Sequence, residues 1–252
     1  MRTFLIRVAY DGTDFSGYQV QRQGERTVQS VLEHALQALH GHPVATVVAG
    51  RTDSGVHAVG QHVSFESDRD SIPEDRMAAA ITSRLPRDVA VLSARVVAEG
   101  FHARYNAVSR HYRYHLVVAP VQFPHLRHHT WAIPFHPEID RVSRDAQALV
   151  GCHDFSTFAA RRDFGATMVR NVLYADLLDQ GDRLVFAIGA DGFLWRMVRS
   201  IVGTLVRREQ RRQRGEVIGE SMAELLAARD RSRAGTTAPA AGLFLQDVEY
   251  EL

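Results

Sequence analysis

The chain of 252 residues has no lysine; all 30 of its basic residues are arginine. Schiff-base chemistry, a lysine general base and a Walker-type phosphate lysine are therefore excluded. Cys152 is the single cysteine, so one chain can build neither an intrachain disulfide nor a thiolate metal cluster. A reducing compartment is expected. No stretch approaches the roughly 18 uninterrupted apolar residues of a membrane span. Arg2, Arg7 and Asp11 break up the opening MRTFLIRVAYDGTDF, which does not read as the apolar core of a secretory leader. The expected location is cytoplasmic.

What is present describes a folded protein. With 45% hydrophobic and 23% charged residues the composition is globular, and the length suits one large domain or two modest ones. The formal charge of +1 hides a local excess: Arg207, Arg208, Arg211, Arg212 and Arg214 crowd into RREQRRQR, while acids gather in ESDRD and QDVEYEL. Such an arginine run reads either as a solvated helix end or as a patch that grips phosphate.

Alternation in FLIRVAYDG predicts a strand with Phe4, Ile6 and Val8 on one face. TVQSVLEHALQALHG predicts a helix capped by Thr27 and stopped at Gly41. VATVVAG, HAVGQHVSFE and DVAVLSARVVA read as strands and PEDRMAAAITSRLP as a helix, giving the order β, α, β, β, α, β. That order is the split βαβ, ferredoxin-like arrangement. A second round runs through HYRYHLVV, the helix EIDRVSRDAQALVG with Ile139, Val142, Ala146 and Leu149 inward, and the strands TMVRNVLYADLL and RLVFAIGAD around a QGD turn. The helix FLWRMVRSIVGTLVRRE, a short helix in SMAELLAARD and a closing strand in GLFLQDVEY complete it. The expected fold is α+β: two similar ferredoxin-like halves, residues 1–105 and 106–252, with joined antiparallel sheets, helices on one face and a catalytic cleft between the halves.

Reactive side chains are densest in AGRTDSGVHAVGQHV, where Arg51, Asp53, Ser54, His57 and His62 stand among glycines between two strands. An ordinary turn, a metal site of Asp53, His57 and His62, a Ser54–His57 nucleophile pair and a nucleophilic Asp53 are the competing readings. The histidines lack the one-face spacing of a helical HExxH pair, and Ser54 lacks an elbow context. His125, His128 and His129 in PHLRHH have no acidic neighbour in sequence and are not read as a metal site.

The longer string decides among these readings. GRTDSGVHA closely resembles the GRTDAGVHA signature of the TruA family of tRNA pseudouridine synthases. YDGTDFSGYQVQ, FHARYNAVSRHYRY, GFLWRMVRSIVG and APAAGLFLQDVEY match the same family in the same order, so the resemblance spans essentially the whole chain. It implies isomerisation of uridine to pseudouridine at positions 38–40 of the tRNA anticodon arm by a homodimer without cofactor or metal. It also implies that Asp53 is the nucleophile, Arg51 helps displace the target base, Tyr112 packs on that base and Arg199 pairs with the aspartate. Ser54 replaces the usual alanine and MVRNV replaces a TxRxI pattern; neither change removes a reacting group.

Elementary chemistry is consistent with those roles. Detaching uracil from C1′, turning it and rejoining it through C5 requires a nucleophile but no redox centre or phosphate donor. Burial around a flipped base would neutralise a carboxylate, whereas a guanidinium within roughly 4–6 Å would keep it ionised. For Arg199, helical spacing predicts Trp195, Val202 and Gly203 as neighbours, an apolar setting in which a charge needs a carboxylate opposite. Arg196 reads instead as a snorkelling side chain. The rival from another class is a non-catalytic RNA-binding protein, and a third is a metal-dependent hydrolase centred on His57 and His62.

Overall fold

Alternating apolar residues and well-marked helix ends give most of the expected elements their places. The computed structural model describes residues 1–21, 24–160 and 167–251. They gather into two units, Met1–Val108 with Phe244–Leu252, and Ser109–Leu243. The closing strand expected in the second half therefore groups with the first.

The first unit holds β1 (Arg2–Tyr10), α1 (Val28–His40), β2 (Thr46–Val48), β3 (His57–Ser67), α2 (Glu74–Thr82), β4 (Val89–Val97) and most of β10 (Leu243–Tyr250). Its strands lie in the order β4–β1–β3, with β2 antiparallel to residues 63–65 of β3. This is the β4–β1–β3–β2 order of a split βαβ unit. β10 takes the other end of that edge, parallel to His57 and Ala58. The pairing explains why the last strand leaves its sequence neighbours. Phe4, Ile6 and Val8 are buried, as alternation required. α1 begins at Thr27, whose hydroxyl accepts the Ser30 N–H while the Ser30 hydroxyl accepts the Thr27 N–H, both at 3.1 Å. It ends at Gly41. Val28, Leu32, Ala35 and Leu36 face inward, and His40 bonds Ser67 Oγ at 2.9 Å while meeting the Phe65 ring edge-on.

The second unit holds β5 (Ala107–Val118), β6 (Trp131–Ile133), α3 (Ile139–Gln147), β7 (Gly151–Asp154), β8 (Val169–Asp179), β9 (Leu184–Ala190), α4 (Met197–Gln213) and α5 (Met222–Ala227). Its strand order is β5–β9–β8–β7, antiparallel throughout, with β6 parallel to β5. The α+β class is as expected. β6 and β7 were not anticipated: each is only three or four residues long and is a strand because a neighbour supplies its hydrogen bonds. Val142, Ala146 and Leu149 are buried beneath α3, and Ile139 is half-buried.

The helix expected from Phe193 starts four residues later. Arg196 adopts a left-handed backbone with φ of 61°, and α4 runs only from Met197. Trp195 therefore precedes the helix, and helical spacing does not set it beside Arg199.

Candidate active site

The GRTDSG corner links β2 to β3, and the YDGTDFSGY stretch after β1 holds it. Thr52 is buried, and its hydroxyl bonds the Tyr10 hydroxyl at 2.7 Å. Burial pushes the Tyr10 phenol up to about 12, against the lowering by Thr52 and Gln61, so it stays protonated. Gln61 Nε2 donates to the Tyr10 oxygen at 3.3 Å and to the Gly50 carbonyl at 2.7 Å. The Tyr18 N–H donates to the Thr52 carbonyl at 3.1 Å, and Ser54 Oγ donates to the Phe15 carbonyl at 3.0 Å. Gly12 lies so close to Val56 that any side chain would strike the Val56 carbonyl. Thr52 and Ser54, on either side of Asp53, are thus pinned, while Arg51 is exposed. Asp53 itself is half-buried, its carbonyl closing a turn to the Val56 N–H at 3.1 Å.

The competing readings of this segment lose their geometry. The Ser54 proton is committed to a backbone carbonyl, which leaves it unready as a nucleophile. The ring of His57 stacks on Phe244 with centroids 4.5 Å apart, and its Nδ1 accepts the Gly12 N–H at 3.0 Å. His62 instead meets Tyr250 edge-on at 5.4 Å. Phe244 and Tyr250 are six residues apart along β10, roughly 20 Å at strand rise. Burial pushes His62 down to about 4 despite Asp247, so it is neutral near pH 7. The two histidines therefore stand too far apart to share one site, and His57 Nδ1 also lies 3.1 Å from an Asp11 carboxylate oxygen.

In the second unit Tyr112 and Tyr114 share a face of β5, and both are buried. Tyr114 is the core member: its hydroxyl donates to the Pro239 carbonyl at 2.8 Å. Tyr112 meets the Phe193 ring edge-on at 5.1 Å. Arg199 is half-buried on α4, its Nε donating to the Ala238 carbonyl at 2.8 Å while the Ala238 N–H returns a bond to the Arg199 carbonyl at 3.0 Å. Gly203, one turn on, makes this approach possible, because a side chain there would collide with the Thr236 carbonyl. Arg196 is exposed and lies 4.6 Å over the Trp195 ring, as a snorkelling residue should.

The family described as tRNA pseudouridine synthase matches residues 6–106 and 146–251. The chain belongs to that family. The tRNA pseudouridine synthase A of Moorella thermoacetica is 43% identical over 251 residues, 99% of this chain and 100% of the relative. Its namesake in Halalkalibacterium halodurans is 42% identical over 245 residues, 97% of this chain and 91% of the relative. A solved chain of a Cbf5–Nop10–Gar1 complex overlaps 83% of this chain and 54% of its own length at 10% identity and a TM-score of 0.36, too low to carry an argument. Pseudouridine synthases are isomerases, and this enzyme is one.

Within this synthase the arginine run is not the open patch that its sequence suggests. Arg208 is buried with Asp145 at 3.3 Å, Arg212 meets the same carboxylate at 2.8 Å and Arg211 meets Glu216 at 2.6 Å. Beside them the fully buried Glu209 takes two bonds from Arg141, at 2.6 and 2.9 Å. Burial would raise the Glu209 carboxyl, but Arg141, the Glu138 N–H and Gln213 outweigh it and hold it below its usual value. Only Arg207 and Arg214 stand exposed, with no side-chain ion pair among the described residues. Sequence reasoning missed the clamp of Tyr10, Gln61 and Tyr18. The signal available was Tyr10 falling on the buried face of β1, where its hydroxyl needs a partner.

Proposed function

We propose that this enzyme isomerises uridine to pseudouridine at positions 38–40 of the tRNA anticodon arm, acting as a cytoplasmic homodimer without cofactor, with Asp53 as nucleophile. The observation that carries the reading is the pinned corner: the residues on either side of Asp53 bond to backbone or to buried partners, while Asp53 rides on a turn that cannot shift without breaking them. Pre-organisation of this kind lets a carboxylate attack without reorganising its support. Family membership supports the same reading.

In this reading the carboxylate oxygen adds at C6 of uracil or at C1′ of the ribose, and both routes need it ionised. The N1–C1′ bond breaks, the base turns and C5 bonds to C1′; the C5 proton then passes to water, N1 takes up a proton from water, and the carboxylate is released unchanged, so product and substrate have the same atoms. Arg199 supplies the guanidinium that pairs with the Asp53 carboxylate. Arg51, exposed beside Asp53, enters the space of the displaced base. Tyr112 packs on the flipped uracil, a contact worth about 1–3 kcal/mol. Tyr112 lies in the 107–145 interval outside the family match, within the span that the full-length relatives cover.

Incubating the enzyme with an unmodified tRNA transcript and no added metal, then mapping pseudouridine by position, tests the proposal. Product at positions 38–40 supports it. Binding without product would favour a pure RNA binder, and product abolished by chelator would favour the metal reading.

A further inference from the structure

The most exposed large ring of the first unit is Tyr105, at 77% of its free area. It is not loose. The His102 ring lies against it with centroids 4.2 Å apart and planes 26° from parallel. His102 is fixed in turn: its Nδ1 accepts the N–H groups of Arg104 and Tyr105, both at 3.3 Å, its own N–H donates to Asn106 Oδ1 at 2.7 Å, and its carbonyl accepts the Asn106 N–H at 3.0 Å. Between them Ala103 is fully buried, its N–H donating to Ser64 Oγ at 3.2 Å and its carbonyl accepting the Tyr250 hydroxyl at 2.8 Å.

These contacts fix which face of the sheet Tyr105 serves. α1 covers the face of β3 that carries Phe65 and Ser67, and Ser64 points the other way. The 101–106 segment therefore lies across the face that α1 leaves uncovered. Arg7 and Arg95 share that face, since Arg7 pairs with His62 and Arg95 pairs with Leu5, itself opposite Ser64. Asp247 sits 3.7 Å from Arg7, while Arg95 is exposed. Arg104 places a further guanidinium 5.8 Å from the Tyr105 centroid.

We propose that Tyr105, backed by His102, is a stacking platform for an unpaired nucleobase of the RNA substrate, with Arg104 and Arg95 directed at the adjoining phosphates. The proposal rests on the tRNA-modifying reading above and adds a binding site remote in sequence from Asp53. An aromatic ring already ordered by an imidazole loses little freedom when a base lands on it, and neighbouring guanidiniums favour a polyanion over an apolar protein partner. Stacking of this kind contributes roughly 5- to 150-fold in affinity.

The test uses the full-length enzyme, an unmodified tRNA transcript, and anticodon-arm RNAs carrying 2-aminopurine at each loop position in turn. Tyr105→Ala is expected to weaken binding and lower kcat/KM at least fivefold, mainly through KM, and to abolish the 2-aminopurine quenching seen with the unsubstituted enzyme at one loop position. Tyr105→Phe and Tyr105→Trp should stay within twofold, and all three should melt like the parent because the ring is at the surface. If Tyr105→Ala binds and quenches like the parent, the platform is refuted and the ring belongs to a protein contact. If the parent makes no pseudouridine yet Tyr105→Ala loses RNA affinity, the activity reading falls and the platform stands.

Discussion

The GRTDSG corner and the RREQRRQR run are the two segments whose composition most suggests function, and their structures diverge. At the corner the bonds go from the flanking residues outward to Tyr10, Phe15 and Tyr18, so the scaffold is spent on holding Asp53 in place. Along α4 the charges are spent on one another: Asp145 takes Arg208 and Arg212, Glu216 takes Arg211, and Glu209 takes Arg141. A dense run of charge is therefore a poor sign of a binding surface until its partners are known. A buried guanidinium or carboxylate has to be neutralised locally, so charges packed in this way are not available to a ligand.

The largest expected effect that would break this comparison is at Asp53. Asp53→Asn should lower single-turnover pseudouridine formation by about 10⁴-fold or more, with tRNA affinity and melting temperature nearly unchanged; measurable turnover would remove the carboxylate from the chemistry. Next comes Glu209→Gln, which leaves Arg141 without its buried partner and should cost about 2–3 kcal/mol in urea unfolding, discounted because Arg141 is a third exposed. The pH dependence has a definite sign. Glu209 is held below its ordinary value, so its contribution is complete above the usual carboxylate range and disappears as pH falls through its depressed value. The parent should therefore lose stability on acidification more steeply than Glu209→Gln.

Thr52→Val tests the clamp. It leaves the buried Tyr10 hydroxyl without its nearest partner and should cost about 1–2 kcal/mol of stability, together with a drop in turnover of about tenfold as the corner loosens. Unchanged turnover would mean that Tyr10 supports the fold and not the site. Smallest of all is Arg207→Gln, expected to change stability by less than about 0.5 kcal/mol; a thermal melt showing more than twice that would place Arg207 in the same ion-paired network as its neighbours.

Much of the fold was legible in the pattern of residues. The Thr27 cap, the Gly41 stop and the buried alternation of Phe4, Ile6 and Val8 depend on local sequence or on period-two burial, and all are found. Less legible were the start of α4, where one left-handed residue at Arg196 removed Trp195 from the face of Arg199, and the grouping of β10 with the first unit. The GRTDSGVHA resemblance pointed to Asp53 but said nothing of Gln61 on the next strand or of Tyr10 and Tyr18, which lie far from it along the chain.

Sequence alone determined the absence of lysine and of an intrachain disulfide, and the α+β class, because these follow from residue types and short-range periodicity, while the resemblance carried by GRTDSGVHA pointed to the corner at Asp53. Tertiary structure decided which charges are spent, which tyrosine is core, and that the exposed Tyr105 ring is held against His102. Those outcomes depend on groups distant along the chain meeting within about 3 Å, the range over which a hydrogen bond or a buried ion pair acts.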